Sequence, residues 1–351
     1  DVTVNAMAVE AASGKLLDWV DGRSDLSEKR IRMVSEKGLR EDPVRLLRVF
    51  RLASNLGFQI EETTLAAVSR HAGMIISSAG ERIRAELFQI FSSRHSAPHI
   101  AAMAATGLLS ALLPESAPAP GQTRPDAPEA PLRGNFLSAY NHLEALLNHP
   151  PPGFEAKAVK SGLPGLPNRA AWQKLAILMP PGIGTPYGQT NGPHPVESAC
   201  HRLRLSTKES SFVTGILRHT PHLFHLHDIY VKKSLTPRAA TKFFMAADSL
   251  APHLLMNGLA KARGDAAGRT IDPATFLDFV YHMLQTYHGA YLPRKAYPPL
   301  VTGRDLISAF GLAPSPLFKR ILTRLEESRL SGDIANRESA LEMAEKLIPG
   351  R

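Results

Sequence analysis

Glu41-Asp42-Pro43-Val44-Arg45-Leu46-Leu47-Arg48-Val49-Phe50-Arg51 sets the period of this chain. Val44, Leu47, Val49, Phe50 and, just beyond, Leu52 fit one face of a helix, with Asp42 near the cap and Pro43 in the first turn. Arg45 follows Asp42 by three positions. On a helix that spacing puts an acceptor and a donor on one face, where together they can meet a flat polar object such as a base edge. Arg48 and Arg51 repeat the spacing. The same residues also describe an ordinary amphipathic helix with an acidic start and a solvated arginine stripe, which the helix dipole alone favours.

Upstream of this segment, Val2 to Val9 is rich in strand formers. Ser13-Gly14-Lys15 supplies a turn before Leu16 to Val20, so a β-hairpin is expected. A lone hairpin is marginal, and a chain that opens on a strand, without Met, is expected to have lost the rest of its sheet. Downstream the period is helical. Helices are predicted near 62–68 and 78–91, and over 172–178, 196–203, 208–218, 236–263, 273–288, 303–311, 316–330 and 337–347. A Pro- and Ala-dense stretch from Pro114 to about Leu132 reads as a linker.

With 351 residues, several domains are expected, because single cores stop growing at roughly 250 residues. One cysteine, Cys200, rules out an intrachain disulfide, and no apolar run approaches the roughly 18 residues a membrane span needs. The chain reads as cytoplasmic and soluble. Its net charge is +9, and five of those charges fall between residues 106 and 250, which favours a polyanionic partner.

In their order along the chain, the motifs resemble those of class II tRNA nucleotidyltransferases (CCA-adding enzymes) and bacterial poly(A) polymerases. Asp1-Val2-Thr3-Val4-Asn5-Ala6-Met7-Ala8 resembles the second half of the family's RRDFTINAMA. The resemblance implies that Asp1 recognises the ribose and that Asn5 sits at the nucleotide pocket. Asp18, Gly22, Asp25, Leu26, Ile31 and Arg32 match DxxxGxxDL…IR, a flexible head–neck element, although Asp and Gly also suit a plain turn. Glu41 to Arg51 matches EDPxRxLRxxR, whose Asp and Arg read the incoming base. Those roles fall on Asp42 and Arg45, with Arg48 beside them. Ser78 to Phe91 is similar to the family's S-x-ERI-x-x-EL, which implies that Glu81, Arg82 and Glu86 support the neighbouring helix. Leu108 to Glu115 resembles the junction L-x-x-LLPE.

Further on, the middle of the chain resembles a degenerate HD-type body. Where the family has LLHDIGKP, this chain has Ile177-Leu178-Met179-Pro180-Pro181-Gly182-Ile183-Gly184-Thr185-Pro186, so the His-Asp doublet is missing even if His142 and His194 flank it. His219, His222, His225 and His227 suggest a metal face by spacing. Pro221 is expected to interrupt that helix, and Arg218 to Phe224 resembles the family's RHHLRPLHL. Leu300 to Leu341 resembles the family tail, with departures at Ser315, Phe318 and Lys319.

The expected fold is therefore mainly α, with a short β remnant of a nucleotidyltransferase head followed by helical neck, body and tail domains. The segments are 1–36 (head), 37–113 (neck, base selection), 114–250 (degenerate body) and 251–351 (RNA-binding tail). The implied function is template-independent addition of CCA, or part of it, to tRNA 3′ ends. Poly(A) synthesis and a non-catalytic RNA-binding module stand as alternatives. Implied partners are a tRNA or other RNA 3′ end, ATP and CTP, and no membrane; the cofactor is Mg2+. Its carboxylates belong to a GS…DxD segment not found here, so no metal ligand and no catalytic residue is assigned, and the 351 residues alone are expected to be inactive.

Overall fold

The computed structural model describes residues 1–114, 136–154, 166, 168–179, 195–265, 271–313 and 315–348. These form two compact units. The first comprises Asp1–Pro151, Leu163–Thr220 and Met256–Asp272; the second comprises Pro152–Gly162, Pro221–Leu255 and Pro273–Arg351. The Pro/Ala linker from Glu115 on and the whole Pro180–His194 run lie outside the described residues.

The first unit opens with a hairpin. β1 (Ala8–Val9) pairs antiparallel with β2 (Leu16–Leu17), and Gly14 takes a left-handed φ of 69° in the turn. The strand expected over Val2 to Asn5 does not form. Thr3–Asn5 is a 3-10 turn instead, because the Thr3 amide donates to the Arg32 carbonyl and its hydroxyl donates to Asp25, and these tertiary bonds outweigh local β propensity. α1 (Gly22–Ser27) leads to β3 (Arg30–Ile31), which pairs in parallel with β4 (Gln59–Ile60) across α2 (Glu36–Glu41) and α3 (Val44–Leu56).

Seven apolar residues of α3, from Val44 to Ala53, and Ser54 sit in the core; Leu46, Leu47, Val49 and Phe50 are fully covered there. α4 (Glu62–His71), α5 (Gly80–Ser92), α6 (Ala97–Ala105), α7 (Leu108–Leu112) and α8 (Phe136–Asn148) continue the helical layer. α9 (Arg169–Leu178) and α10 (Pro195–Arg202) follow. α9 packs on α5 and α8 with Trp172, Leu175 and Leu178 buried.

Two helix predictions need correction. α11 (Thr207–Val231) runs unbroken through Pro221, so the proline does not interrupt it. A proline removes one amide donor and costs about 3 kcal/mol in a helix, but Ile216, Leu217, Leu223 and Phe224 on either side are buried, and that burial outweighs the loss. The helix expected over 236–263 is in two pieces, α12 (Pro237–Ala247) and α13 (Ala251–Gly264), joined by a 3-10 turn that starts at Asp248, which has φ 47°.

The second unit continues with α14 (Pro273–Thr286), whose end widens into a π turn at Tyr287–Tyr291 before α15 (Leu292–Lys295). Phe224, Phe276 and Phe279 pack as one aromatic group, and Phe244, Tyr287 and Tyr291 as another. α16 (Gly303–Phe310), α17 (Pro316–Ser331) and α18 (Arg337–Lys346) close over Leu306, Ile321, Leu325 and Ala340. A capping box between Thr302 and Asp305 starts α16.

Candidate nucleotide-reading site

Asp42 lies in the joint between α2 and α3. It is an extended residue, φ −137° and ψ 91°, so it and Arg45 are not on one continuous helix. The two still converge. Pro43 starts α3 directly after the joint, the Arg45 amide donates to the Asp42 carbonyl at 3.0 Å, and Arg45 Nε lies 3.9 Å from Asp42 Oδ2. Arg45 is held a second time, because Nη1 donates to the Gly38 carbonyl at 3.1 Å. A Cβ on Gly38 would stand only 3.1 Å from that same nitrogen, so the absence of a side chain there makes room for the guanidinium.

The stronger partner of Asp42 is Arg82 on α5, whose Nη2 donates to Oδ2 at 2.8 Å. This bond holds the Asp42 carboxyl below its ordinary range despite partial burial. The family resemblance implies helix support alone for Arg82. Its contact with Asp42 spans 40 residues, and no local spacing could have revealed it. Glu86 does serve as a support, accepting from Arg51 of α3 at 2.5 Å.

Arg48 lies one turn along α3, and its Nη2 is 2.8 Å from Asp1 Oδ2. Arg48 Nε is buried and makes no hydrogen bond. Arg45 meets Asp42 and Arg48 meets Asp1 from one turn of α3, so these four predicted residues come together. Asn5 does not join them: it is exposed at the end of the 3-10 turn, with its amide bonded to the Val2 carbonyl.

The head–neck residues form a second cluster. Asp18 accepts from the amides of Gly22 and Arg23 at 2.9 Å each and from Val20 at 3.2 Å, which starts α1 and lowers its carboxyl pKa. Asp25 is fully covered and accepts from Thr3 Oγ1 at 2.6 Å, Arg30 Nε at 2.7 Å and Arg32 Nε at 2.8 Å. Burial pushes its pKa up, but the three bonds outweigh that and leave it lowered. Arg32 also reaches the Val20 carbonyl. At Gly22 a Cβ would lie 2.3 Å from the Thr3 carbonyl oxygen. These residues tie the start of the chain to α1 and β3. Thr3 and Arg30, neither singled out by the motif, complete the cluster.

Among the described residues no three His, Cys, Asp or Glu side chains come together to hold a metal. No Mg2+ site of three such ligands is therefore formed among the described residues. His227 is covered between Phe276 and Phe279, and His222 meets Phe243 edge-on, so these histidines belong to aromatic packing. No helix among the described residues is long and apolar enough to cross a membrane.

A carboxylate and a guanidinium held side by side at a helix start, each tethered from behind, form a candidate site for a flat polar ligand. Comparison with known proteins shows what the chain is similar to. Residues 1–32 match the poly(A) polymerase head domain, 57–119 match the family described as the probable RNA and SrmB- binding site of polymerase A, and 273–344 match tRNA nucleotidyltransferase domain 2. The chain is 26% identical to the CC-adding tRNA nucleotidyltransferase of Synechocystis sp., over 99% of this chain and 74% of that protein. It is 27% identical to the A-adding enzyme of Deinococcus radiodurans, over 97% and 76%. With the CC-adding enzyme of Geobacter sulfurreducens it shares 34% identity over 54% of this chain and 42% of the relative.

A CCA-adding enzyme in complex with ATP has the same fold, with a TM-score of 0.67 at 18% identity, covering 100% of this chain and 71% of that one. The Thermotoga maritima CCA-adding enzyme complexed with tRNA scores 0.63 at 18% identity, over 99% and 72%. Three separate stretches of the chain thus match models of the poly(A) polymerase and tRNA nucleotidyltransferase families, and its mainly helical fold with a short β head segment is that of the CCA-adding enzymes.

Proposed function

We propose that this chain serves a template-independent nucleotidyltransferase that adds CCA, or part of it, to tRNA 3′ ends from CTP and ATP with Mg2+, and that its own part is to choose the base. The observation that carries this is Asp42 held as an acceptor by Arg82 beside Arg45 held as a donor by Gly38. Cytosine and adenine each present an amino donor next to a ring-nitrogen acceptor, which this pair complements; uracil and guanine present the reverse order at the same edge. With one Arg45 nitrogen tethered to Gly38 and one Asp42 oxygen tied to Arg82, the rest of each group is left to the base.

Arg48, with a buried Nε lacking an acceptor, and Asp1, ion-paired to it, face the sugar and phosphates in this reading. Asn5 sits at the rim. Asp18, Gly22, Asp25 and Arg32 join head to neck. Residues 1–36, 37–113, 114–250 and 251–351 act as head, neck, body and RNA-binding tail, in the cytoplasm. The two matches that name poly(A) polymerase favour one second reading, in which the product is an oligo(A) tail.

The test is equilibrium binding of the four nucleoside triphosphates, paired with extension assays on tRNA lacking CCA, tRNA ending in CC, and unstructured RNA, with CTP and ATP supplied separately. CTP or ATP should bind more tightly than UTP and GTP, and Asp42→Ala should remove the preference. Equal binding of all four, or unchanged preference in Asp42→Ala, refutes the assignment. Extension of unstructured RNA with ATP favours the second reading.

A further inference from the structure

The helix that carries Arg82 has two working faces. Residues two apart on a helix point about 200° away from each other, and the polar residues of α5 use that separation. Arg82 and Glu86, one turn apart, reach Asp42 and Arg51 on the α2–α3 side. Arg84 and Phe88, also one turn apart, face the other way. Arg84 pairs with Glu209 near the start of α11 and lies 5.7 Å over the Trp172 ring; Phe88 packs on the same ring at 5.1 Å. Ile83, Leu87, Ile90 and Phe91 are buried between these faces.

The attachment on the α11 side is rigid. Glu209 is 7% exposed, and its second oxygen accepts from the Ser206 amide at 2.7 Å, which fixes the carboxylate to the start of α11. Gly80, the first residue of α5, sits so close to the turn after α10 that a Cβ there would lie 2.1 Å from the Arg202 carbonyl oxygen. The N-terminal turn of α5, where Arg82 resides, is thus seated against Arg202 and clamped through Arg84. Arg82 itself is exposed, with its side chain 53% accessible beside Asp42.

We propose that Arg84 and Glu209 are positioning residues for nucleotide selection: by clamping α5 they aim Arg82, and Arg82 aims Asp42. A contact spanning 125 residues from Arg84 to Glu209 would then tune how strictly the base is read, without touching the nucleotide. This rests on the base-reading role proposed for Asp42. It predicts that selectivity and fold stability separate, because Glu209→Gln keeps the acceptor for Ser206 and the shape of the side chain while discarding the charge that holds Arg84.

The experiment measures affinities of CTP, ATP, UTP and GTP, together with that of tRNA, for the full chain and for Glu209→Gln, Arg82→Ala, the double variant and Asp42→Ala. Glu209→Gln should weaken the preferred nucleotide about 10-fold, the scale of one hydrogen bond to a charged group, and leave tRNA affinity and helical content unchanged. In the Arg82→Ala background, adding Glu209→Gln should change nothing further, because the two act in series. If Asp42→Ala abolishes selectivity while Glu209→Gln leaves it intact, the positioning proposal fails and the base-reading assignment stands. Effects of Glu209→Gln and Arg82→Ala that multiply would also overturn it. Unchanged selectivity in Asp42→Ala sinks both.

Discussion

Lys174→Met removes the cation from the most deeply buried ion pair among the described residues that has both partners covered. Lys174 Nζ on α9 donates to Glu144 Oε2 of α8 at 2.6 Å, to the Ser93 carbonyl at 2.7 Å and to Ser96 Oγ at 3.0 Å, with side chains only 3% and 8% exposed. Leaving one member of a buried pair uncompensated costs about 3–5 kcal/mol. Glu144 keeps the amides of Ser96 and Ala97 and the Ser96 hydroxyl as donors, so the lower end, about 3 kcal/mol at pH 7, is expected.

The double variant Lys174→Met/Glu144→Leu leaves no orphan charge. It loses the carboxylate that caps the start of α6, about 1 kcal/mol, so it should be more stable than the single variant. The sign with pH is also set. In the parent, burial raises the Glu144 pKa but the bonds from Lys174, Ser96 and Ala97 bring it below the ordinary value, so its stabilisation is present above that value and is lost as pH falls through the lower folded one. Without Lys174 the burial effect dominates, the folded pKa rises, and the cost of the substitution should shrink between pH 7 and pH 4. Urea titration followed by Trp172 emission checks this, since Trp172 is buried two residues from Lys174 and the other tryptophan, Trp19, is 76% exposed. A cost below about 1 kcal/mol at pH 7, or a double variant less stable than Lys174→Met, would refute the reasoning.

Gly22→Ala would place a Cβ 2.3 Å from the Thr3 carbonyl oxygen and 3.0 Å from Met7 Cγ. The clash, about 1–3 kcal/mol, should exceed the gain of up to about 1 kcal/mol from replacing a helical glycine, so the urea midpoint should fall; a neutral or stabilised variant contradicts the packing described. Glu36 is bonded by Arg70 and His71, and its carboxyl is brought down to about 2. Its contribution is in full above the ordinary carboxylate value and fades as pH falls toward about 2, so the stability gap between parent and Glu36→Gln should narrow from pH 6 to pH 3. A gap constant over that range rules the pairing out.

How much of this could be read beforehand depends on the distance over which each feature is decided. The helical period of α3 and its proline start are local, and they appear where the sequence places them. The β1–β2 turn at Gly14 is also local, and that pairing is found. The 3-10 turn at Thr3 is not legible locally, because its bonds go to Arg32 and Asp25, far outside any window of strand propensity. The break after Ala247 has a local mark, Pro252 in the first turn of α13, where a proline suits a helix start and not a helix interior.

For the candidate site, the three-residue intervals of Asp42, Arg45 and Arg48 fit a shared helix face or a plain amphipathic helix alike, and their roles, with that of Asp1, follow from the family resemblance. What the sequence could not show is that Asp42 stands outside the helix, that Gly38 and Arg82 hold the pair from behind, and that Arg84 and Glu209 brace Arg82 in turn. Periodicity acts over one turn and fixes which face a side chain takes. Which distant partner occupies that face is settled only when α5 packs between α3 and α9, and that packing is the work of the tertiary fold.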